Sequence, residues 1–333
     1  MGRGTGSSKK NYIPEDVVFK TKPQIALELI DRSIANGIKV DAWSADELYG
    51  RNTELLDALD DRNVAFVFEI PSDTAVWLSK PKVLRKPKKN AKGRPKKYPR
   101  LARRRAKPCE VRNLAKYSPA FNKQAAQKYK TRDGSRGEEV WEIKWETCWR
   151  KTKTSGLVSR QCTLVVARNV LTDEVKYFLS NRVPGRDGWT LRRILRAAFG
   201  RWSIEGCFRE AKEELGLDHF ECRGWRCIHR HLYAVILGQL FCAQTRKHLS
   251  PSEDVLSGEL LTMEQVRRAT DVVLATLDLK PADRKRKLEE ELKRQEYYGR
   301  RNAQSKKSHQ KTRRKIFEEL GIDPAKIKSI TVP

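Results

Sequence analysis

The stretch Ala65-Phe-Val-Phe-Glu-Ile70 leaves this chain few folds to choose from. A surface strand alternates apolar and polar residues; a run that is apolar on successive residues needs cover on both faces. The segment before it offers such cover. Pro23 opens a helix whose buried side is Ile25, Leu27, Leu29, Ile30 and Ile34, and Asn36-Gly37 stops it. Ile38 to Ala45 reads as a strand, Asp46 to Gly50 as a tight exit loop, and Asn52 as the cap of a short helix through Leu55, Leu56 and Leu59. Helix, strand, helix, strand is the rhythm of an α/β sheet with parallel members.

From Lys80 to Lys107 that rhythm stops. Fifteen of these 28 residues are Lys or Arg and none is acidic, so the segment cannot bury enough apolar surface to fold alone. It reads as a boundary or a long loop. The same excess runs through the whole chain: 333 residues carry a formal net charge of +28. The length suits about two domains. The charge calls for a polyanionic partner, with DNA or RNA ahead of an anionic membrane. No apolar run approaches the ~20 residues that span a bilayer, and no hydrophobic signal follows Met1. A cytoplasmic, nucleoid-associated protein is therefore expected. Its seven cysteines are scattered and odd in number, which favours reduced thiols.

Strand character returns at 140–149, where Trp141, Ile143, Trp145, Thr147 and Trp149 alternate with polar residues. Such a strand can stack bases, but packing a sheet is the commoner use. Cys162 to Val170 and Val175 to Leu179 follow, joined around Thr172-Asp173, and the three together read as an antiparallel patch. A helix from Leu191 runs through Lys212 to Gly216; a more apolar one covers His231 to Leu249. Pro281 to Lys315 is helical and very basic.

Two sets of residues can carry chemistry. On one continuous helix, Glu205 lies ~40° round from Arg201 and Lys212 ~20° round from Arg201, so all three share a face. A carboxylate between two cations can hold a metal next to a phosphate; a solvated charged stripe has the same spacing. Asp46 lies just past a strand's C-terminal end, where open α/β sheets place ligands and where Asp is also an ordinary turn residue. A strand-end Asp and a helix Glu brought together by a fold suit Mg²⁺, which takes hard oxygen ligands and keeps positions for water and phosphate. Cys222, Cys227, His229 and His231 do not follow the usual zinc spacings. Gly93-Arg94-Pro95 has the form of a minor-groove hook, but with Lys96 and Lys97 it fits a general phosphate-binding loop better.

These residues resemble the DDE transposases of bacterial insertion sequences, in the branch whose signature is Y-x2-R-x3-E-x6-K. Arg201, Glu205 and Lys212 match its last three terms, and the tyrosine position holds Ala198. Lys212-Glu-Glu-Leu-Gly-Leu-Asp-His-Phe-Glu221 and Trp225-Arg-Cys-Ile-His-Arg-His231 are similar to the same branch. Ala45-Asp46-Glu-Leu-Tyr-Gly50 with Phe66-Val-Phe-Glu-Ile-Pro71 resembles the segment around the family's second Asp. The resemblance spans about residues 12–250. It implies an α/β, ribonuclease H-like mixed sheet with a β-rich insertion before the last acid. It implies Asp46 and Glu205 as catalytic metal ligands for Mg²⁺ or Mn²⁺, two ions in the intact site. Arg201, Lys212, Arg94, Lys96 and Lys97 would contact DNA. The family's first Asp sits on an earlier strand, and neither Asp41, Asp16 nor Asp31 can take its place. The expectation is therefore a transposase chain without its first acid and N-terminal DNA-binding region, with a sheet incomplete at its N-terminal strands.

The domain organisation expected is a disordered start at 1–12 and a partial ribonuclease H-like core at 13–79. A basic loop plus antiparallel insertion follows at 80–182, the helical end of the catalytic core at 183–250, and a basic helical tail at 251–333. The expected function is DNA transposition on double-stranded transposon ends and target, with a homodimer implied on paired ends and no membrane partner. The alternative is a non-catalytic DNA-binding remnant or regulator.

Overall fold

A computed structural model describes residues 11–86, 98–102, 107–134, 137–249 and 261–330. The expected disordered start therefore lies mostly outside the described residues, as do Arg94, Lys96 and Lys97. The chain forms two compact units. A sheet unit takes Lys20–Arg201 and His309–Pro333; a helical unit takes Met1–Phe19 and Trp202–Ser308.

The sheet unit begins with α1 (Lys22–Ala35), β1 (Trp43–Ala45), α2 (Glu47–Gly50), α3 (Thr53–Asp61) and β2 (Phe66–Glu69). Pro stands in the first turn of α1, and Asn52 caps α3 by accepting from the Leu55 amide at 2.8 Å, as their sequences require. Next come β3 (Ala75–Trp77), the ribbon β4 (Val83–Leu84) and β5 (Arg100–Leu101), β6 (Cys109–Glu110), α4 (Val111–Tyr117) and α5 (Pro119–Asn122). The long strands are β7 (Gln127–Gly134), β8 (Gly137–Arg150), β9 (Cys162–Asn169) and β10 (Val175–Ser180), followed by α6 (Leu191–Gly200). The helical unit holds α7 (Trp202–Leu215), α8 (Trp225–Leu249), α9 (Met263–Ala275) and most of α10 (Pro281–Glu319). The last strand, β11 (Lys328–Ser329), returns to the sheet unit and pairs in parallel with β7.

The main sheet runs β1-β2-β10-β9-β8, with β1 and β2 parallel and the later pairs antiparallel. The strands expected as a separate antiparallel patch thus continue the sheet that β1 and β2 begin. Residue alternation along β2 explains its apolar run. Phe66 and Phe68 face a core with Leu55, Leu56, Leu59, Leu164 and Leu179, while Val67 faces the opposite core with Trp141, Val165, Phe178 and Ile194. Trp141 is buried against Phe199, centroids 5.2 Å apart, so this tryptophan packs the sheet.

Several boundaries differ from expectation. Only Trp43–Ala45 of the Ile38–Ala45 stretch is strand, because β1 finds partners only opposite Phe66, Val67 and Phe68. On α1, Ile30 alone is buried; Ile25, Leu29 and Ile34 are exposed, since the core reaches that helix along one narrow line. The expected helix from Leu191 through Lys212 is two helices. The first ends at Gly200 with Arg201 as its C-cap and the second begins at Trp202; glycine weakens helices by ~1 kcal/mol relative to Ala. Two of the seven cysteines, Cys222 and Cys227, are joined in a disulfide rather than reduced.

One polar group is locked inside the sheet unit. Arg150, 4 % exposed at the end of β8, binds Asp57 on α3 and reaches Asp60 at 2.6 Å. The other Asp57 oxygen accepts from the Lys153 and Thr154 amides at 2.7 and 3.1 Å. Asp60 also accepts from the Asn181 amide at 3.0 Å, and Asn181 accepts from the Phe66 amide at 3.0 Å. Burial works against the guanidinium charge, but hydrogen bonding to Asp57 and attraction by Asp60 outweigh it and raise its pKa.

Removing one partner of such a pair strands a buried charge, at about 3–5 kcal/mol. Arg150→Ala is therefore expected to lower the stability of the sheet unit by that amount in urea unfolding followed by tryptophan fluorescence. A loss below ~1 kcal/mol would refute the assigned role. Cys148 and Cys162 stand opposite each other on β8 and β9, and burial pushes the Cys162 thiol up to about 12 and Cys148 well above its ordinary value. Both keep their protons at pH 8, so native-state iodoacetamide should modify half-buried Cys109 and Cys207 first and spare these two by mass spectrometry.

Candidate active site

Asp46 stands where β1 ends, and its backbone conformation is extended (φ −82°, ψ −177°). Its side chain accepts from the Leu48 amide at 3.1 Å and so caps the one-turn helix α2, in place of the exit loop expected. The carboxylate is exposed. Capping explains an Asp here with no chemistry at all; the exposure leaves the carboxylate accessible to a ligand.

The next strand supplies a neighbour. Trp43, Ser44 and Ala45 stand opposite Phe66, Val67 and Phe68, so Asp46 and Glu69 follow one another out of the C-terminal ends of adjacent parallel strands. Glu69 is 13 % exposed; Lys176 lies 3.4 Å and Arg201 3.8 Å from its carboxylate. Sequence reasoning passed over Glu69, although a lone acid inside an otherwise apolar run was the available signal. Gly50 fixes the approach of this turn to β2. A Cβ at Gly50 would sit 2.0 Å from the Glu69 carbonyl oxygen, so only glycine permits the contact.

Arg201 therefore belongs to the sheet unit, at the C-terminal cap of α6, held towards Glu69. Glu205 and Lys212 belong to the helical unit, both exposed on α7 and seven residues apart, hence on one face. Glu205 lies in the first turn of α7 and Lys212 in its last, where each opposes the helix dipole and helps the helix whatever else it does.

In the Cys222–His231 region the candidate ligands are engaged with one another or with the backbone. The cysteines are joined, His229 Nδ1 donates to the Trp225 carbonyl at 2.8 Å, and His231 Nε2 donates to the Gly216 carbonyl at 2.9 Å. Among the described residues, no three His, Cys, Asp or Glu side chains gather where they could hold a metal. The Asp46 carboxylate suits Mg²⁺ in kind, as a hard oxygen ligand. No helix among the described residues is long and apolar enough to cross a membrane.

Against this geometry, a comparison with protein families matches residues 5–138 to a family described as DDE superfamily endonuclease. The matched segment includes Asp46, Glu69 and the β4–β5 ribbon and stops before the Glu205 helix. No curated protein matches the chain. The first part of the chain is thus similar to DNA-acting nucleases, on a mixed α/β fold that suits them.

Gly50→Ala tests how the Asp46 turn is held. Overpacking of this kind costs about 1–3 kcal/mol, and the backbone shift it forces should raise amide exchange across Asp46–Gly50. Unchanged stability and exchange would show that the close approach does not constrain the turn.

Proposed function

We propose that this chain is a DDE-type transposase protein of bacterial insertion-sequence descent, acting on double-stranded DNA. The observation that carries the reading is the match of residues 5–138 to DDE superfamily endonucleases, with Asp46 exposed at the end of a strand parallel to its neighbour. The net charge of +28 supports a DNA partner independently of that match. In this reading Asp46 and Glu205 are the acids of phosphodiester cleavage and strand transfer. Arg201 and Lys212 grip phosphates beside them, and Arg94, Lys96 and Lys97 bind backbone elsewhere. Mg²⁺ or Mn²⁺ is the ion such carboxylates would serve, and a homodimer on paired ends is the assembly the family likeness suggests.

A second reading, a DNA-binding protein without catalysis, is favoured by one observation. Among the described residues, no three His, Cys, Asp or Glu side chains gather where they could hold a metal.

A nicking and strand-transfer assay on linear duplex DNA, with Mg²⁺ or Mn²⁺ and with chelator, separates the two. The transposase reading expects metal-dependent products that Asp46→Asn and Glu205→Gln each reduce at least ~100-fold. Products that survive both substitutions would overturn the assignment of the acids. Tight, salt-sensitive binding without products would establish the second reading, and failure to bind duplex DNA would overturn both.

A further inference from the structure

The sheet unit carries a cleft that the proposed active-site residues do not use. One wall is the β4–β5 ribbon, closed by Val83 opposite Leu101, Leu84 opposite Arg100, and the Ala102 amide donating to the Lys82 carbonyl at 2.9 Å. The other wall is the connection after β8, where Lys151 bridges to Val158 and the Thr152 amide donates to the Leu157 carbonyl at 2.9 Å. The space between them is about 660 Å³.

The lining divides cleanly by chemistry. Lys80, Lys82, Arg85 and Arg160 supply four cations, all exposed, and among the described residues no acidic side chain lines the cleft. Among the described residues, no carboxylate forms an ion pair with any of the four; Arg160 makes only a long contact, 3.4 Å, to the Asn63 side chain. Beneath the charges, Pro81, Val83, Leu157 and Val158 form an apolar floor on which lysine and arginine stems can lie while their heads stay in water. Among the described residues no aromatic ring lines the cleft, which favours contact with backbone over base stacking.

One wall is held for a physical reason already visible. The connection after β8 is tied down by Asp57, which accepts from the Lys153 and Thr154 amides and binds Arg150. That wall need not be ordered on binding, which lowers the entropic cost of holding a ligand. Lysine ammonium groups act as rotatable point charges and suit a repeating phosphate better than one fixed hydrogen-bonding pattern.

We propose that this cleft is a docking channel for the phosphodiester backbone of duplex DNA, independent of base sequence, with Lys80, Lys82, Arg85 and Arg160 as its phosphate contacts. This inference rests on the reading of the chain as a DNA-acting protein and adds the surface on which the duplex lies. It requires neither Asp46 nor Glu205.

The test is fluorescence-anisotropy binding of a 30-base-pair duplex over a range of salt, using the full chain and the variant Lys80→Gln/Lys82→Gln/Arg85→Gln/Arg160→Gln. Each phosphate contact contributes about 0.9 to the slope of log affinity against log salt, so the variant's slope should fall by about 3 to 4, with affinity reduced more than tenfold on every sequence. A second variant that keeps Arg160, and with it the Asn63 contact, should lose about 3; it guards against a folding defect, as does an unchanged urea midpoint. If the chain binds duplex and the slope falls by less than 1 in both variants, the cleft is not the contact surface and the broader reading survives. If the chain does not bind duplex, both fail. Millimolar pyrophosphate that displaces DNA far beyond its ionic-strength effect would overturn the backbone assignment in favour of a small phosphate site. Duplex RNA bound more tightly than DNA, and weakened by the same substitutions, would overturn the choice of DNA.

Discussion

The sheet unit hangs on one buried guanidinium. Arg150 joins the last residue of its longest strand to two acids one turn apart on α3. Through Asp57 it orders the connection after β8, and through Asp60 and Asn181 it reaches the first residue of β2. Charges this deep are costly unless nearly all their hydrogen bonds are made. Most are made here, although Arg150 Nε has no partner among the described residues. The cluster favours one register and one helix position over looser alternatives that a purely apolar core would tolerate.

Around that tie the sheet is covered on both faces. β2, β9 and β10 each send alternate residues into opposite cores, so the apolar run of β2 and the mixed pattern of β9 arise from the same pleat. The end of the chain takes part as well. Phe317 and Ile322 pack with Val140, Arg313 donates to the Glu138 carbonyl at 2.9 Å, and β11 covers the edge of β7. Part of an edge that would otherwise offer unpaired backbone groups, at Tyr129 and Lys130, is thereby covered. At the Asp46 side of the strand order, β1 pairs only with β2 among the described residues.

The legible parts of the candidate site were the ones with local causes. Asp46 at a strand end, Asn52 as a cap, Gly216 as a helix stop and the helix bearing Glu205 and Lys212 all follow from short-range rules of turn chemistry and periodicity. Glu69 was not legible as a site residue, because its place beside Asp46 depends on strand register, and register joins residues over 20 positions apart. The boundary between α6 and α7 at Arg201 was not legible either, because an apolar period continues through Gly200 without a strong stop signal.

The sequence by itself determined the α/β character, the order of the principal elements, the strongly basic charge and the positions of the two candidate acids. Those are consequences of local propensity, apolar period and composition, each readable within a few residues. Tertiary structure alone decided that β10 lies against β2 and that Arg150 meets Asp57 and Asp60. It also decided that Glu69 reaches Arg201 and that four cations from separate hairpins share one cleft. Each of these depends on which distant segments pair when apolar surface is buried on both sides of a sheet, and pairing of that kind leaves only a faint local mark in a chain.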